Sequence, residues 1–253
     1  MRYFYGIFGV LATQSVWADA LRPLATDRPD ATESFQTVDK GYFQIESSIA
    51  AYSMDKTKQN RVETWSLAET NLKYGVTDNV DVQLVFSPYL VEKTSKIKSL
   101  SGQGDIQLRS KINLWGNDQT GDGLALLPYL KVPNGRFSND EYEGGLIVTY
   151  GTDYKDYSLG AQIQMDRAYD DDTRKHEWAG SHTFVIGRGF ENGLGAYIEY
   201  IGDYTVKHDY MPYASFGGTW QTSKNFQWDV GSQLALSDQG NDQLIFGGFT
   251  IRF

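Results

Sequence analysis

Cysteine and histidine carry much of the nucleophilic and metal chemistry of proteins, and this chain of 253 residues has no cysteine and 3 histidines. Without cysteine there are no disulfides, thiolate metal sites or thiol nucleophiles, and the redox compartment stays open. The histidine contexts are His176-Glu177-Trp178, His182-Thr183-Phe184 and His208-Asp209-Tyr210. A serine two residues after a histidine on one strand would leave the same face and could pair with it in a hydrolase. None of the three contexts has that spacing. Asp170-Asp171-Asp172 lies near His176 and offers carboxylates, but a run of this kind reads more simply as a solvated loop. Gly102-Gln103-Gly104 lacks the lysine and the following helix of a phosphate loop. No catalytic residue, cofactor or metal site is expected.

The charged residues are more informative, because many recur at every second position. Glu46, Glu69, Lys73, Asp81, Asp105, Arg109, Lys111, Asp166, Glu199, Asp229 and Arg252 all fall on one side of period-two segments. Apolar and aromatic residues take the other side. Successive strand side chains point to opposite faces, so such segments are strands with one charged and one greasy surface. If the charged side faces a lumen, Glu46, Glu69, Lys73, Asp105, Arg109, Lys111, Glu199 and Arg252 set the field that a passing solute meets. Alternatively, charges of mixed sign in a confined space satisfy one another.

The elements that would hold these residues are predicted at about 42–54, 62–76, 80–87, 105–115, 124–132, 144–151, 157–166, 177–187, 194–204, 211–221, 226–236 and 241–253, with a long polar loop at Lys93–Gln103. In the last of them Ile245, Gly247, Phe249, Ile251 and Phe253 oppose Asp242, Leu244, Phe246, Gly248, Thr250 and Arg252. An arginine facing the bilayer centre costs about 2–4 kcal/mol in such barrels, so Arg252 must point inward or lie at an interface. Strands of roughly 10 residues or more suit a membrane span better than a globular sandwich. Trp and Tyr near strand ends (Trp65, Tyr74, Trp115, Tyr129, Tyr150, Trp220, Trp228) match an interfacial girdle. The fold expected is all-β, a 12-stranded antiparallel up-and-down transmembrane barrel. An even count suits bacterial barrels of one chain.

Residues 1–18, with Arg2, an apolar run and Ser15-Val16-Trp17-Ala18, read as a signal peptide cut after Ala18. Residues 19–40 are polar and show no alternation; they read as a periplasmic lead-in or a segment docked in the barrel mouth. Residues 41–253 form the barrel. Within the lead-in, Arg28 is expected to reach a carboxylate inside the barrel such as Glu46 or Glu69, so that residues 26–34 narrow the periplasmic mouth. The formal charge of −9 disfavours nucleic acid and a pore for polyanions. Mean hydropathy is −0.45, as expected when only alternate residues meet lipid.

The stretch Thr26-Asp27-Arg28-Pro29-Asp30-Ala31-Thr32-Glu33-Ser34, with Val38–Gly41 and Gln44-Ile45-Glu46, resembles the meta-pathway phenol-degradation family of outer-membrane transporter-like proteins. The specific match is the N-terminal motif with Asp27, Arg28, Pro29, Asp30 and Glu33. Family members often carry proline after the Glu-Ser pair, whereas here Phe35 follows Ser34. The resemblance implies passive passage of small compounds, aromatic ones among them, and no catalytic residue. The reading is therefore an outer-membrane channel in a Gram-negative bacterium. Its expected partners are membrane lipid, lipopolysaccharide, the barrel-assembly machinery through Phe253, and a small-molecule solute. A lipid-modifying enzyme or a non-conducting structural barrel are the rival readings.

Overall fold

In the computed structural model the described residues are 21–56, 60–95, 97–118, 121–206, 210–238 and 241–253. The expected signal peptide and the expected loop at Lys207-His208-Asp209 lie outside them. Alternating residues build strand segments β1 (Phe43–Lys56), β2 (Arg61–Thr77), β3 (Val80–Phe86), β4 (Tyr89–Thr94), β5 (Ile97–Gly102), β6 (Ile106–Trp115) and β7 (Gly123–Val132). They continue as β8 (Glu143–Tyr154), β9 (Tyr157–Asp170), β10 (Lys175–Gly189), β11 (Leu194–Tyr204), β12 (Met211–Ser223), β13 (Phe226–Ala235) and β14 (Gln243–Arg252).

All lie in one antiparallel sheet that closes through β1, which pairs with both β14 and β2. β3 and β4 both pair with β2, along successive stretches, and so form one barrel strand broken at Ser87-Pro88. A proline has no N–H for the ladder, which explains a break there. β5 and β6 likewise form one strand, broken at 103–105. Counted this way the wall is a closed barrel of 12 strands, as the sequence predicts.

The breaks align with irregularities in the neighbouring strands. Ala68 takes φ 56° beside them, and the register of β1 shifts between Ser48 and Ala50. The Gly104 amide donates to the Ser87 carbonyl at 2.9 Å, joining the two interruptions. Most of the loop expected at Lys93–Gln103 is instead the hairpin of β4 and β5. Its lysines and serines leave no apolar face to read, so the period is lost in the sequence.

Burial is inverted relative to a water-soluble domain. Lys73, Lys111 and Asp81 are 2%, 1% and 0% exposed, whereas Trp178, Ile198 and Ile163 are 65%, 62% and 61% exposed. Charges inside and large apolar groups outside fit a wall bathed in hydrocarbon, not a sandwich in water. The protein is thus an outer-membrane barrel. Arg252 is buried on the lumen face and Ile245 exposed on the other, as the alternation requires.

The chain ends of the barrel meet at one rim, where the Phe43 amide donates to the Phe253 carbonyl at 2.9 Å. The tight turns 78–79, 155–156 and 224–225 lie at that rim, and the longer 133–142 connection at the other. Short turns mark the periplasmic side and longer loops the outside. Aromatic groups collar the periplasmic rim: Phe43 stacks on Phe253 at 6.0 Å, and Phe226 and Trp228 pack on Phe249.

Ile198 sits mid-strand in β11 on the lipid face. Ile198→Lys is expected to lower the unfolding free energy by about 2–4 kcal/mol in lipid vesicles, whereas the polar lumen position Ser215 should accept threonine with a small effect. Urea titrations followed by tryptophan fluorescence would test the contrast.

Candidate functional site

Residues 21–40 form no strand beyond a single bridge of Lys40 to Gly75. An irregular backbone inside a barrel still needs partners for its N–H groups. Wall side chains provide them. The Asp27 amide donates to the Glu46 carboxylate at 3.1 and 3.2 Å. The Ala31 and Thr32 amides both donate to Glu199, each at 2.9 Å. The Glu33 amide donates to Gln162 at 2.8 Å, the Thr37 amide to Asn117 at 2.9 Å and the Val38 amide to Asp81 at 3.0 Å.

Side chains of the segment complete the attachment. Arg28 engages Asp229 with two N–H groups, at 3.1 and 2.7 Å. Arg28 thus reaches a carboxylate inside the barrel, as expected, but that carboxylate is Asp229 and not Glu46 or Glu69. Those carboxylates lie on β1 and β2, whereas the chain path carries the guanidinium toward β13. Asp27 accepts from Lys111 at 2.6 Å and also from Lys73, which bonds Glu46 as well. Arg109 pairs with Glu33. At the periplasmic end Asp39 bridges Arg22 and Arg252, each at 2.7 Å.

One apolar contact anchors the segment. Phe35 packs on the small cluster Ala125, Leu127 and Ile147 of β7 and β8. Gly123 and Gly151 leave the space its ring fills; a Cβ at Gly123 would lie 2.2 Å from that ring. The residue that departs from the family motif thus meets two glycines of the wall.

The residues singled out in the sequence do not form one constellation. Glu46, Lys73, Arg109 and Lys111 converge on Asp27 and Glu33. Glu199 faces the segment from β11. Arg252 lies at the periplasmic rim. Asp105 is apart, bonded to Lys131 at 3.2 Å and to the Asn134 amide. Glu69 is exposed to the lumen, with the Ser66 hydroxyl at 3.4 Å. Pro29 and Asp30 line cavities on both sides of the segment. Sequence reasoning did not single out Asn117, Gln162, Phe35 or Asp39 for these contacts. Isolated neutral amides and a lone aromatic carry no periodic signal.

The segment divides the lumen. On its outer side is a cavity of about 400 Å³, with Glu46, Glu69, Asn71, Arg109, Leu244 and Phe246 in its lining. On its periplasmic side is another of about 380 Å³, lined in part by Tyr197, Gln221 and Gln227. Arg28, Pro29 and Asp30 border both. Three buried polar atoms of the outer cavity's lining, Glu33 Oε2, Asn71 Oδ1 and Arg109 Nε, have no hydrogen-bond partner.

The acids of the segment titrate differently. Burial alone would raise the Asp27 carboxyl, but Lys111 and Lys73 hold it well below its usual range. Burial, reinforced by Glu199, pushes Asp30 well above its own. Burial also raises Glu33 to about 7, with Asp27 adding to the effect and Arg109 opposing it.

The family described as "Putative MetA-pathway of phenol degradation" matches residues 26–253. Among solved structures, an outer-membrane channel from Pseudomonas putida F1 superposes with TM-score 0.62 at 12% identity, covering 87% of this chain and 98% of that one. The β domain of the Bordetella autotransporter BrkA superposes with TM-score 0.52 at 11% identity, covering 85% of this chain and 100% of that one. Likeness at such identity speaks for the barrel fold. No curated protein sequence matches the chain.

Asp27→Asn leaves two buried lysines short of a countercharge. It should destabilise the docked segment by about 3–5 kcal/mol, seen as faster amide exchange over residues 26–34. A carboxyl whose docked pKa lies above its free value binds a proton on docking. Glu33, at about 7 against an ordinary 4.5, therefore favours docking as pH falls from 7 toward 4.5. Asp30 acts in the same direction, while the Asp27 contribution is lost only at pH below its ordinary 3.8. Exchange protection of residues 26–34, corrected for intrinsic rates, should rise from pH 8 to pH 5. Glu33→Gln should reduce that rise.

Proposed function

We propose that this chain, which belongs to the family described as "Putative MetA-pathway of phenol degradation", is an outer-membrane channel through which small aromatic or hydrophobic solutes diffuse. The observation that carries the reading is the pair of cavities meeting at Arg28, Pro29 and Asp30 inside a polar lumen. In this reading residues 19–40 are a lumen-docking segment that follows a cleaved signal peptide, and small displacements of residues 28–30 join the two cavities. Leu244, Phe246 and Ile201 give the outer cavity an apolar side for a ring, and Asn71 and Arg109 give it hydrogen-bonding groups. The Pseudomonas putida protein of like fold is itself a channel, which supports the same class of activity.

No catalytic role is assigned to any residue. Glu46, Glu69, Lys73, Asp105, Arg109, Lys111, Glu199 and Arg252 act through charge and lumen width. Lys73, Lys111 and Arg109 compensate Asp27, Glu33 and Glu46 beside the outer cavity, and Arg28 is paired with Asp229, so among the described residues of its lining Glu69 is the ordinary carboxylate left without an ion pair. That exposed carboxylate favours neutral and cationic solutes over anions. The partners in this reading are membrane lipid and lipopolysaccharide around the wall, and the assembly machinery at Phe253.

Liposome swelling should be faster with phenol and benzyl alcohol than with sugars of larger cross-section, and slow with benzoate. Equal rates with protein-free liposomes for every solute would remove the channel reading. Deleting residues 21–35 should raise single-channel conductance severalfold and reduce the preference for potassium over chloride. An unchanged current would show that the segment does not limit passage.

A further inference from the structure

We propose that the outer half of the β9–β11 wall carries a site for a phosphorylated, acylated glycolipid of the outer leaflet. The proposal stands whether or not the lumen conducts. On β9 and β10 the lipid-facing positions include Ile163, Met165, Arg167, Trp178, Gly180 and Phe184. Across the strands Gly180 pairs with Met165 on one side and Tyr204 on the other. The glycine between two large side chains leaves a trough of about 600 Å³, with Ile163, Trp178 and Phe184 among its walls. A side chain cannot fill it from below, because a Cβ at Gly180 would lie 2.3 Å from the Gln164 carbonyl oxygen.

The trough has a charged rim. The Arg167 guanidinium lies over the Trp178 ring, 4.9 Å from its centroid, on the lipid side of the wall. One N–H of its fork donates to the His176 carbonyl at 2.5 Å, which fixes the group at the outer end of β10. Asp166, Asp170 and Glu177 occupy the alternate, lumen-side positions of the same strands. Asp171 and Asp172 lie in the turn beyond the strand ends. Arg167 is therefore the lipid-facing cation at the outer end of β9 and β10, with Arg174 in the turn and Lys175 at the start of β10 nearby, and the forked donors of a guanidinium match a phosphate.

Inside the trough the chemistry changes from phosphate to acyl chain. Its wall is mostly apolar, but His182 borders it with its ring stacked on Tyr210 at 5.9 Å. His182 Nε2 and the Tyr210 hydroxyl are 3.3 Å apart, and Tyr210 and Tyr200 share a hydroxyl bond of 2.6 Å. These groups can meet the ester or hydroxyl oxygens that acylated glycolipids carry near the headgroup. An occupant that is wholly apolar would make no use of them or of Arg167. A second copy of this chain would have to bring an anionic group to the lipid-facing surface, at the cost of burying it in hydrocarbon.

The test is native mass spectrometry of the purified barrel with added bisphosphorylated lipid A. The wild type should retain lipid A, and chemically dephosphorylated lipid A should be retained at least tenfold less. Arg167→Gln removes the phosphate partner and Met165→Trp narrows the trough from its wall; each should cut retention severalfold. An unchanged heat-dependent gel shift will show that both variants still fold. Arg188→Gln, which alters a cation at the periplasmic rim, should leave retention unchanged. Equal retention by all variants, equal retention of the dephosphorylated lipid, or a dimer mass in place of the lipid adduct would overturn the proposal.

Discussion

An irregular chain inside a barrel depends on finding acceptors for its amide hydrogens, and in this protein the wall's own acids and amides supply them. Glu46, Glu199 and Asp81 each take backbone N–H groups from residues 27–38, with Gln162 and Asn117 completing the series. An unsatisfied buried amide costs about 1–3 kcal/mol, so the series as a whole dictates the path of the segment. Once the carboxylates are committed in this way, their charge needs compensation. Lys73 and Lys111 sit between Asp27, Glu46 and Glu33 and provide it. The lumen charges thus belong to a structural network before they belong to any passing solute.

That network has consequences for the space left over. Twelve strands enclose more room than an eight-stranded barrel, whose interior side chains can fill, and less than the broad aqueous lumen of a porin. Here the docked segment takes up much of the difference and leaves a cavity on each face of it. Arg28 is tied to Asp229, while Asp30 lies between the cavities beside Glu199. The part of the partition that borders both cavities therefore carries ionisable groups, and its state depends on protonation as well as on packing.

The outer surface follows a different rule. Its side chains meet hydrocarbon, so variation there is constrained by depth in the bilayer more than by contact with a neighbour. Two cations on it stack on rings near a rim, Arg167 on Trp178 and Arg188 on Tyr157. Both arrangements keep the charged head near the interface while the stem covers apolar surface.

Period-two alternation was enough to place the wall. A residue's parity along a strand decides whether lipid or lumen receives it, and that is a local property. So the inward direction of Arg252, Lys73 and Glu199, and the count of strands, could be read from the chain alone. Alternation failed at 93–103, where a hairpin is polar on both sides, and it blurred at Ser87-Pro88, where one strand is in two pieces. What no local pattern could decide was partnership across the lumen. Arg28 meets Asp229 some two hundred residues away, and Phe35 meets a gap left by two glycines of different strands, because closure of the sheet brings those walls together. Which charges pair, which amides find acceptors and where empty space remains are set by the curvature of the closed wall, a quantity that exists only once every strand has found its neighbour.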